Sequence, residues 1–284
     1  MTQLQPPVHP MPSSSLRAPW RARLAHGYEV GVWRGVHGSG WGIESMFRFQ
    51  ALDRPDRLEM RLVSTQANLA SEAELGGRVT LDRNGSPCFR GVVESVTGGF
   101  DARRGAWLDI VAYAGYHRRR QLPPVRYYQL TDSELAQRLA VALQLVPIVD
   151  PTTTVRRCVE VSGDPLSALR QVAAVCAFEL AVTDSKLFFV RSLPRTSHVE
   201  VVDFRTEVAS LEWTYRRDDL VRGNLQFVGE RDWRPLSHFR LHGLPLRDDR
   251  TWRVERVMHF LDREGYRTHL EFGSPSPPPS STGV

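Results

Sequence analysis

The sequence predicts a mainly β (α+β) fold in which two small antiparallel β-barrels flank a short α/β insert. Segments with strand-like patterns recur on both sides of the middle of the chain, whereas two helical patterns are confined to 131–176. Turn signals containing Gly separate several of the strands. The expected order of domains is listed here: an N-terminal arm, 1–44; a first β-barrel, 45–120; an α/β insert, 121–195; a second β-barrel, 196–272; and a Pro/Ser-rich tail, 273–284.

The two ends of the chain are poor in large aliphatic side chains. Residues 1 to about 20 are rich in Pro and Ser, and so is the tail SPSPPPSSTGV. Such segments bury too little apolar surface to offset their ordering entropy, so we expect the arm to be partly disordered. A flexible arm that orders on a partner is the functional alternative. The N-terminus has no apolar signal region and no stretch has the length of a membrane span, which favours assembly in the cytoplasm.

The first barrel is predicted from period-two alternation and from turns. Leu58, Met60 and Leu62 alternate with charged residues, as expected of a strand with one buried face. Asn84-Gly85 predicts a tight hairpin, Gly91 a bulge or a close backbone approach, and Gly98-Gly99 another turn. At least four antiparallel strands at this spacing favour a small closed barrel over a doubly wound sheet.

The insert carries two helix-start signals. Thr131 and Glu134 have the capping-box spacing, and Asp164 followed by Pro165 is typical of an N-cap and first helical position. Their predicted buried stripes are Leu135, Leu139, Leu143 and Val146 before Pro147 in the first helix, and Leu166, Leu169, Val172 and Cys176 in the second. A hairpin is predicted around 183–186.

The second barrel is predicted from further strand-like segments after Pro194. The candidates are 199–204, 208–215, 223–228 and 239–243, and a hairpin in which 252–261 pairs with 266–272 across Arg263-Glu264-Gly265. This unit has about the same size as the first.

Residue patterns for catalysis or metal binding are lacking. His238 and His242 are four apart but fall in a strand-and-turn pattern, and the acid pairs Asp218-Asp219 and Asp248-Asp249, like Asp262, fall in polar turns. Cys88, Cys158 and Cys176 have no zinc-ligand spacing and are expected to be core thiols in a reducing compartment. We therefore predict no catalytic, cofactor-binding or metal site, and no enzyme.

Positive charge offers one alternative. The formal net charge is +5, and Lys186 is the only lysine, so nearly all the positive charge is arginine, which suits bidentate pairing at interfaces. The run His117 to Arg120, with Tyr127 and Tyr128 nearby, leaves open a basic nucleic-acid-binding barrel. A solvated face or an acidic protein partner is the preferred interpretation, and nucleic acid is not expected as a specific ligand.

Several stretches, in their order, resemble the baseplate hub family of contractile tails: phage late control protein D, the gp27-like hubs and the hub part of type VI secretion VgrG spike proteins. The stretches that carry the resemblance are LGGRVTLDRNGSPCFRGVVESV (75–96), WLDIVAYAGYHRRRQ (107–121), YYQLTDSELAQRLA (127–140), GDPLSALRQVAAVCAFELAVTDSKLFFV (163–190), RGNLQFVGE (222–230) and TWRVERVMHFLDREGYRTHLEF (251–272). The resemblance covers roughly residues 45 to 272.

The resemblance implies a homotrimer whose two barrels per chain form a ring of six, which matches a hexameric tail tube. Its implied partners are the tube protein, a central spike, and baseplate wedge or LysM-type adaptor proteins. Because the sequence ends at Val284, we expect the spike or needle to be a separate protein. The expected location is a phage virion tail or an injection-system particle, assembled in the bacterial cytoplasm. A cell-wall hydrolase of an injection machine is a further alternative.

Overall fold

The structure is a computed structural model, and most of the residues that it describes lie in strands. The described ranges are 20–24, 29–32, 41–52, 54–64, 74–101, 105–119, 121–183, 185–194, 198–214, 222–228, 231–243, 250–263 and 265–273. The chain has the mainly β architecture that the sequence predicts. The first 19 residues of the predicted arm, the tail after Gly273 and the two predicted acid pairs lie outside the described residues.

The first β unit is a closed barrel of seven strands. These are β1 (Trp20–Arg23), β2 (Glu29–Val32), β3 (Trp41–Ala51), β4 (Arg57–Ser64), β5 (Arg78–Arg83), β6 (Ser86–Asp101) and β7 (Gly105–Ala114). The pairing order is β3-β2-β1-β5-β6-β7-β4, and β4 pairs back to β3, so the ring closes. All neighbours are antiparallel except β2 and β3. Closure gives each strand of the ring a neighbour on both sides over at least part of its length, which protects a small barrel against wrong pairing.

Two strands of this barrel come from the segment predicted as an N-terminal arm. Strand β1 pairs with β5, and β2 pairs with β3, which itself starts at Trp41. Trp20 and Ala22 are buried, so the short segment WRAR alternates between core and surface. Composition gave no sign of these strands, because each has only four residues. The boundary between arm and barrel at 44/45 stays a prediction.

The predicted hairpin signals have different outcomes. Asn84 and Gly85 both have positive φ, 50° and 80°, and connect β5 to β6 as expected of an Asn-Gly turn. The turn predicted at Gly98-Gly99 is wrong, because both residues lie inside β6 and pair with Leu108 and Trp107. A Cβ on Gly98 would lie 2.6 Å from a methyl carbon of Leu108, so the glycines are needed for close packing against β7.

The insert contains two short helices and five strands. Its elements are β8 (Leu122–Thr131), α1 (Asp132–Ala142), β9 (Val146–Val149), β10 (Val155–Gly163), α2 (Pro165–Cys176), β11 (Glu179–Thr183) and β12 (Lys186–Val190). Both predicted N-caps are present, and the Thr131–Glu134 capping box is complete. The strands form a β8–β10 ribbon and a sheet in the order β11-β12-β9, which includes the predicted 183–186 hairpin.

The predicted core of the insert is largely correct. Leu135, Leu139 and Leu143 on one side and Leu166 and Leu169 on the other are buried together. Helix α1 ends at Ala142, however, before the predicted stop at Pro147. Pro147 lies in β9, and Val146 is exposed rather than part of the stripe.

The second β unit is a six-stranded sheet that curls around its own core. Its elements are β13 (Val199–Asp203), α3 (Phe204–Glu207), β14 (Val208–Thr214), β15 (Arg222–Val228), β16 (His238–His242), β17 (Trp252–Asp262) and β18 (Gly265–Gly273). The order is β14-β15-β18-β17-β16-β13, with β13 parallel to β16. Helix α3, capped by Asp203, was not predicted. Within the described residues β13 and β14 do not pair, so this unit, unlike the first, is open on one side.

One continuous sheet joins the two units. Residues 256–261 of β17 pair antiparallel with residues 46–51 of β3, so the β17–β18 hairpin extends from the second unit onto the first. Leu261 and Tyr266, at the end of this hairpin, are buried in the core of the first barrel, where Tyr266 stacks on Trp20 at 5.5 Å. The side-by-side arrangement of the units is therefore fixed by backbone hydrogen bonds and by shared core residues.

The two units repeat one strand order. In the first unit the order β3-β4-β7-β6-β5 corresponds to β14-β15-β18-β17-β16 in the second. Irregularities in register recur at matching places: between Ile43 and Ser45 and between Val208 and Ser210, and again between Val93 and Ser95 and between Val254 and Arg256. Conserved bulge positions within such a pattern are typical of duplicated structure rather than of chance.

Candidate subunit interface

The sequence-predicted acidic and histidine positions do not form a reactive centre in the described structure. His238 is buried and His242 is exposed, although both lie on β16. Asp262 forms an ion pair with Arg267. Within the described ranges no three His, Cys, Asp or Glu side chains come together as metal ligands.

The three cysteines are free thiols, and Cys176 has the most constrained surroundings. Its Sγ lies 3.2 Å from Oδ2 of the buried Asp132, whose carboxylate also pairs with Arg156. Burial, together with the hydrogen bond to Asp132, raises the pKa of the Cys176 thiol to about 11. A thiol that stays protonated is a poor nucleophile, so this cluster fastens α1 to β10 and α2 rather than serving catalysis.

The basic run is built into the end of the first barrel. Residues Gly115–Arg119 form a 3-10 helix after β7, and the ring of His117 stacks on Tyr113 at 4.1 Å. Tyr127 packs against the core of the insert, while Tyr128 is exposed. Arg120 lies outside the described residues. Two of the aromatic and basic groups of the nucleic-acid hypothesis are thus engaged in packing.

A buried polar cluster lies at the joint between the two units. His259 on β17 faces Arg48 on β3, and their exposed fractions are 3% and 6%. The hydroxyl of Tyr266 lies 2.7 Å from Nδ1 of His259. Burial, reinforced by the nearby Arg48 and Arg83, lowers the pKa of His259 to about 3. The imidazole is therefore neutral at physiological pH and acts as a hydrogen-bonding group in the joint.

Two of the strand edges with no further strand beside them in the described structure belong to β14 and to β6. Strand β14 pairs with β15 alone, and residues 95–101 of β6 pair with β7 alone, because β5 leaves β6 at Val92. Free edges present rows of unpaired N–H and C=O groups, which bind other strands readily. In the repeated strand order β14 corresponds to β3, and residues 95–101 of β6 correspond to residues 256–262 of β17. Strands β3 and β17 pair with each other within the chain.

Apolar side chains accompany both edges. Phe100, near the end of β6, is 57% exposed. Leu211 and Trp213 on β14 are half-buried and pack against the edge of the second core. A groove of about 710 Å³ runs along β14 and is lined by Leu211, Trp213 and Phe272 together with the charged side chains of Glu212, Glu255 and Arg256. An exposed aromatic side chain beside one edge, and a groove of mixed apolar and charged lining beside the other, suit a protein–protein interface.

Solved structures with a similar fold include two tail proteins and a component of the type VI secretion system. The 43 kDa tail protein of prophage MuSo2 from Shewanella oneidensis aligns with a TM-score of 0.70 at 10% identity, over 91% of this chain and 97% of that one. A tail protein from Neisseria meningitidis MC58 aligns with a TM-score of 0.66 at 13% identity, over 90% and 96%. The E. coli c3393 protein aligns with a TM-score of 0.66 at 13% identity, over 86% of this chain and 76% of that one.

The chain shares its fold with these three proteins. The c3393 protein is described as a component of the type VI secretion system with structural similarity to the T4 tail proteins gp27 and gp5. The resemblance inferred from the sequence is thereby confirmed at the level of fold. No known family profile and no curated protein sequence matches the chain. None of the helices in the described residues is long and apolar enough to cross a bilayer.

The candidate interface residues were missed by reasoning from sequence, although a signal was present. Residues 93–101, VESVTGGFD, and 254–262, VERVMHFLD, share Val, Glu, Val and Asp at the same spacing. That short internal repeat marks the two equivalent strands β6 and β17, of which one is paired to β3 and the other carries a free edge. A search for internal repeats would have drawn attention to Phe100.

Proposed function

We propose that this protein is a structural baseplate hub of a contractile phage tail or a related contractile injection system. Three chains form a ring that joins a hexameric tail tube to a central spike. The tube protein, the spike and baseplate wedge or LysM-type adaptor proteins are the proposed partners, and the role requires no catalysis.

The observation that carries this proposal is the pair of like-ordered β units held side by side in one chain by β3 and β17. A closed ring of three identical chains has three equivalent positions, whereas a hexameric tube presents six. Two equivalent units per chain resolve that mismatch without breaking closed symmetry. The similarity in fold to tail proteins supports the same conclusion.

Electron microscopy of the assembled particle tests the proposal directly. We expect density for three copies of the chain at the end of the tail tube, with six β units around one axis. Co-purification with the tube protein, and a solution mass of three chains for the isolated hub, are the expected biochemical results. A monomer in the particle, or only one β unit per chain facing the tube, contradicts the hub assignment.

The two alternatives predict other outcomes. Binding of DNA whose affinity falls steeply with salt would indicate the nucleic-acid-binding role instead. Degradation of cell wall that is lost on changing a single acidic residue would indicate a hydrolase.

A further inference from the structure

We infer that neighbouring copies of this chain join by antiparallel pairing of β6 from one copy with β14 of the next, in a defined register. The inference rests on the proposed ring. It goes further by naming the strands, the facing residues and the apolar group that locks the joint. The occupant of the β14 edge is thus a second copy of the chain.

The first argument is the equivalence of strands. Strand β17 corresponds to β6 and β3 corresponds to β14 in the repeated order of the two units. Inside the chain, β17 and β3 form the joint between the units. Their counterparts, 95–101 of β6 and the outer edge of β14, have no other strand on that side within the described residues. Repeating the internal joint between chains satisfies both edges and continues the sheet from copy to copy.

The second argument is that the register can be transferred. Directly after the matching irregularities, Arg256 pairs with Glu271 in the second unit and Ser95 pairs with Val111 in the first, so Ser95 is equivalent to Arg256. Five residues further along each strand, Phe100 is therefore equivalent to Leu261. In the same way, Ser210 on β14 is equivalent to Ser45 on β3, because each is the first paired residue after the irregularity. The next residue, Leu211, is therefore equivalent to Met46.

Within the chain Leu261 faces Met46, and His259 faces Arg48. Between chains, Phe100 therefore faces Leu211 of the next copy, and Gly98 faces its Trp213. The intervening pair, Phe260 with Phe47, becomes Gly99 with Glu212.

The third argument is chemical fit at these positions. Leu261 is buried in the core of the first barrel, whereas Phe100, its counterpart, is 57% exposed in the single chain. The second core is bordered by the half-buried Leu211 and Trp213 and by the groove along β14. Phe100 of one copy enters this groove, and the indole of Trp213 lies opposite Gly98, over which Leu108 of the same chain packs. The joint then buries a large aromatic side chain, the kind of group that dominates interface energies.

Disulfide trapping tests the register. In a Cys158→Ser background, which removes the exposed native thiol, Phe100→Cys and Leu211→Cys are combined in one chain. Directly opposite residues in an antiparallel pair have Cβ atoms about 4.5–5.5 Å apart, within reach of a disulfide after small adjustment. Mild oxidation is expected to give a covalent species of three chains. Co-expression of chains carrying one cysteine each is expected to give covalent dimers only.

The matched control shifts the register by one residue. Phe100→Cys with Glu212→Cys places the second thiol on the opposite face of the sheet, so no covalent species is expected. If the assembly keeps a mass of three chains but the Phe100/Leu211 pair is not trapped, or is trapped no better than the control, the inferred joint is wrong while the hub proposal stands. If the unsubstituted chain is a monomer both free and in the particle, the hub proposal and the joint are wrong together.

A second variant makes the test independent of disulfide geometry. Phe100→Asp is expected to weaken assembly at least ~100-fold, because an unpaired carboxylate would be buried in the groove. The folded monomer is expected to keep its melting temperature, since Phe100 is mostly exposed there. Val175→Asp, at a 77% exposed position on α2, is the matched control and is expected to leave assembly unchanged. Equal assembly of Phe100→Asp and the control would overturn the inference.

Discussion

His259 shows how a single residue couples the two β units. It belongs to the second unit by sequence, yet it is buried opposite Arg48 of the first, and Tyr266 and Thr268 lie within reach of its Nδ1. A protonated imidazole there would add positive charge to a site that already contains a buried guanidinium. A neutral imidazole avoids this repulsion and lets His259 act as a hydrogen-bonding group in the joint.

This environment predicts that the folded protein loses stability as the pH falls below about 6.5, well above the pH at which ordinary carboxylates titrate. The pKa of His259 is lowered from 6.5 to about 3, so below pH 6.5 the unfolded chain binds a proton that the folded chain excludes. Stability is full above about pH 6.5 and falls as the pH is lowered toward 3, by at most ~1.4 kcal/mol per pH unit from this group. Burial also lowers the pKa of His269, which adds to the same trend.

Urea unfolding at pH 7 and pH 5 measures this effect. His259→Gln is expected to reduce the loss of unfolding free energy between the two pH values, whatever its effect at pH 7. His242→Gln, at an exposed position on β16, is the control and is expected to keep the full loss. An unchanged pH dependence in His259→Gln would show that the histidine is not the group responsible.

Leu169 tests the core of the insert at the same scale. It is fully buried on α2, as its place in the helical stripe predicts, and Leu139 of α1 is buried in the same cluster. Leu169→Ala is expected to lower the unfolding free energy by ~2–5 kcal/mol, because it removes buried methyl groups and leaves a cavity. Val175→Ala, on the exposed face of the same helix, is expected to change it by less than ~0.5 kcal/mol. Equal effects would mean that the helix buries another face.

At the scale of elements, local signals predicted what local chemistry determines. The Thr131 capping box, the Asp164-Pro165 helix start and the Asn84-Gly85 hairpin are each determined by a few neighbouring residues, and each is present. Gly98-Gly99 was mistaken for a turn because glycine is common both in turns and where another group approaches the backbone closely. Here Leu108 and Trp107 on β7 approach the two residues so closely that a Cβ would not fit, and a local pattern does not reveal that contact. Val146 was misplaced because α1 ends at Ala142 and Val146 is the first residue of β9, with Pro147 second.

The β17–β18 hairpin links the two units, because it pairs with β3 and contributes side chains to the core of the first barrel. Tyr266 lies at its far end, buried between Trp20 and His259 in the first barrel. Tyr266→Ala is expected to lower the unfolding free energy by ~3–5 kcal/mol, as for other large aromatic deletions from a core. Hydrogen exchange is expected to show faster opening in β3 and β4 as well as in β17 and β18. Faster exchange confined to the second unit would contradict a shared joint.

At the scale of the whole molecule, the sequence predicted the class and order of units but not how they join. The β3–β17 pairing links residues about 200 positions apart along the chain, and no local period encodes such a contact. The closure of the first barrel depends on two four-residue strands from the predicted N-terminal arm, whose pairing only the tertiary structure decides. The candidate interface was hidden for the same reason, because an edge is free only once all other strands have been placed.

The ring that these units are proposed to build has two kinds of joint, and they should differ in stability. The three joints within chains pair β3 with β17 and share buried side chains with the first barrel core. Because both strands belong to one chain, these joints do not depend on protein concentration. The three joints between chains depend on concentration, because association must offset the lost freedom of separate copies. Hydrogen exchange followed through serial dilution is expected to show protection lost at 95–101 and 208–214 while 46–51 and 256–261 stay protected. The closed first barrel gives each released chain a stable core, so dissociation should precede unfolding. Simultaneous loss of protection in all four segments would mean that no folded single chain exists, and that the internal joint forms only within the assembled ring.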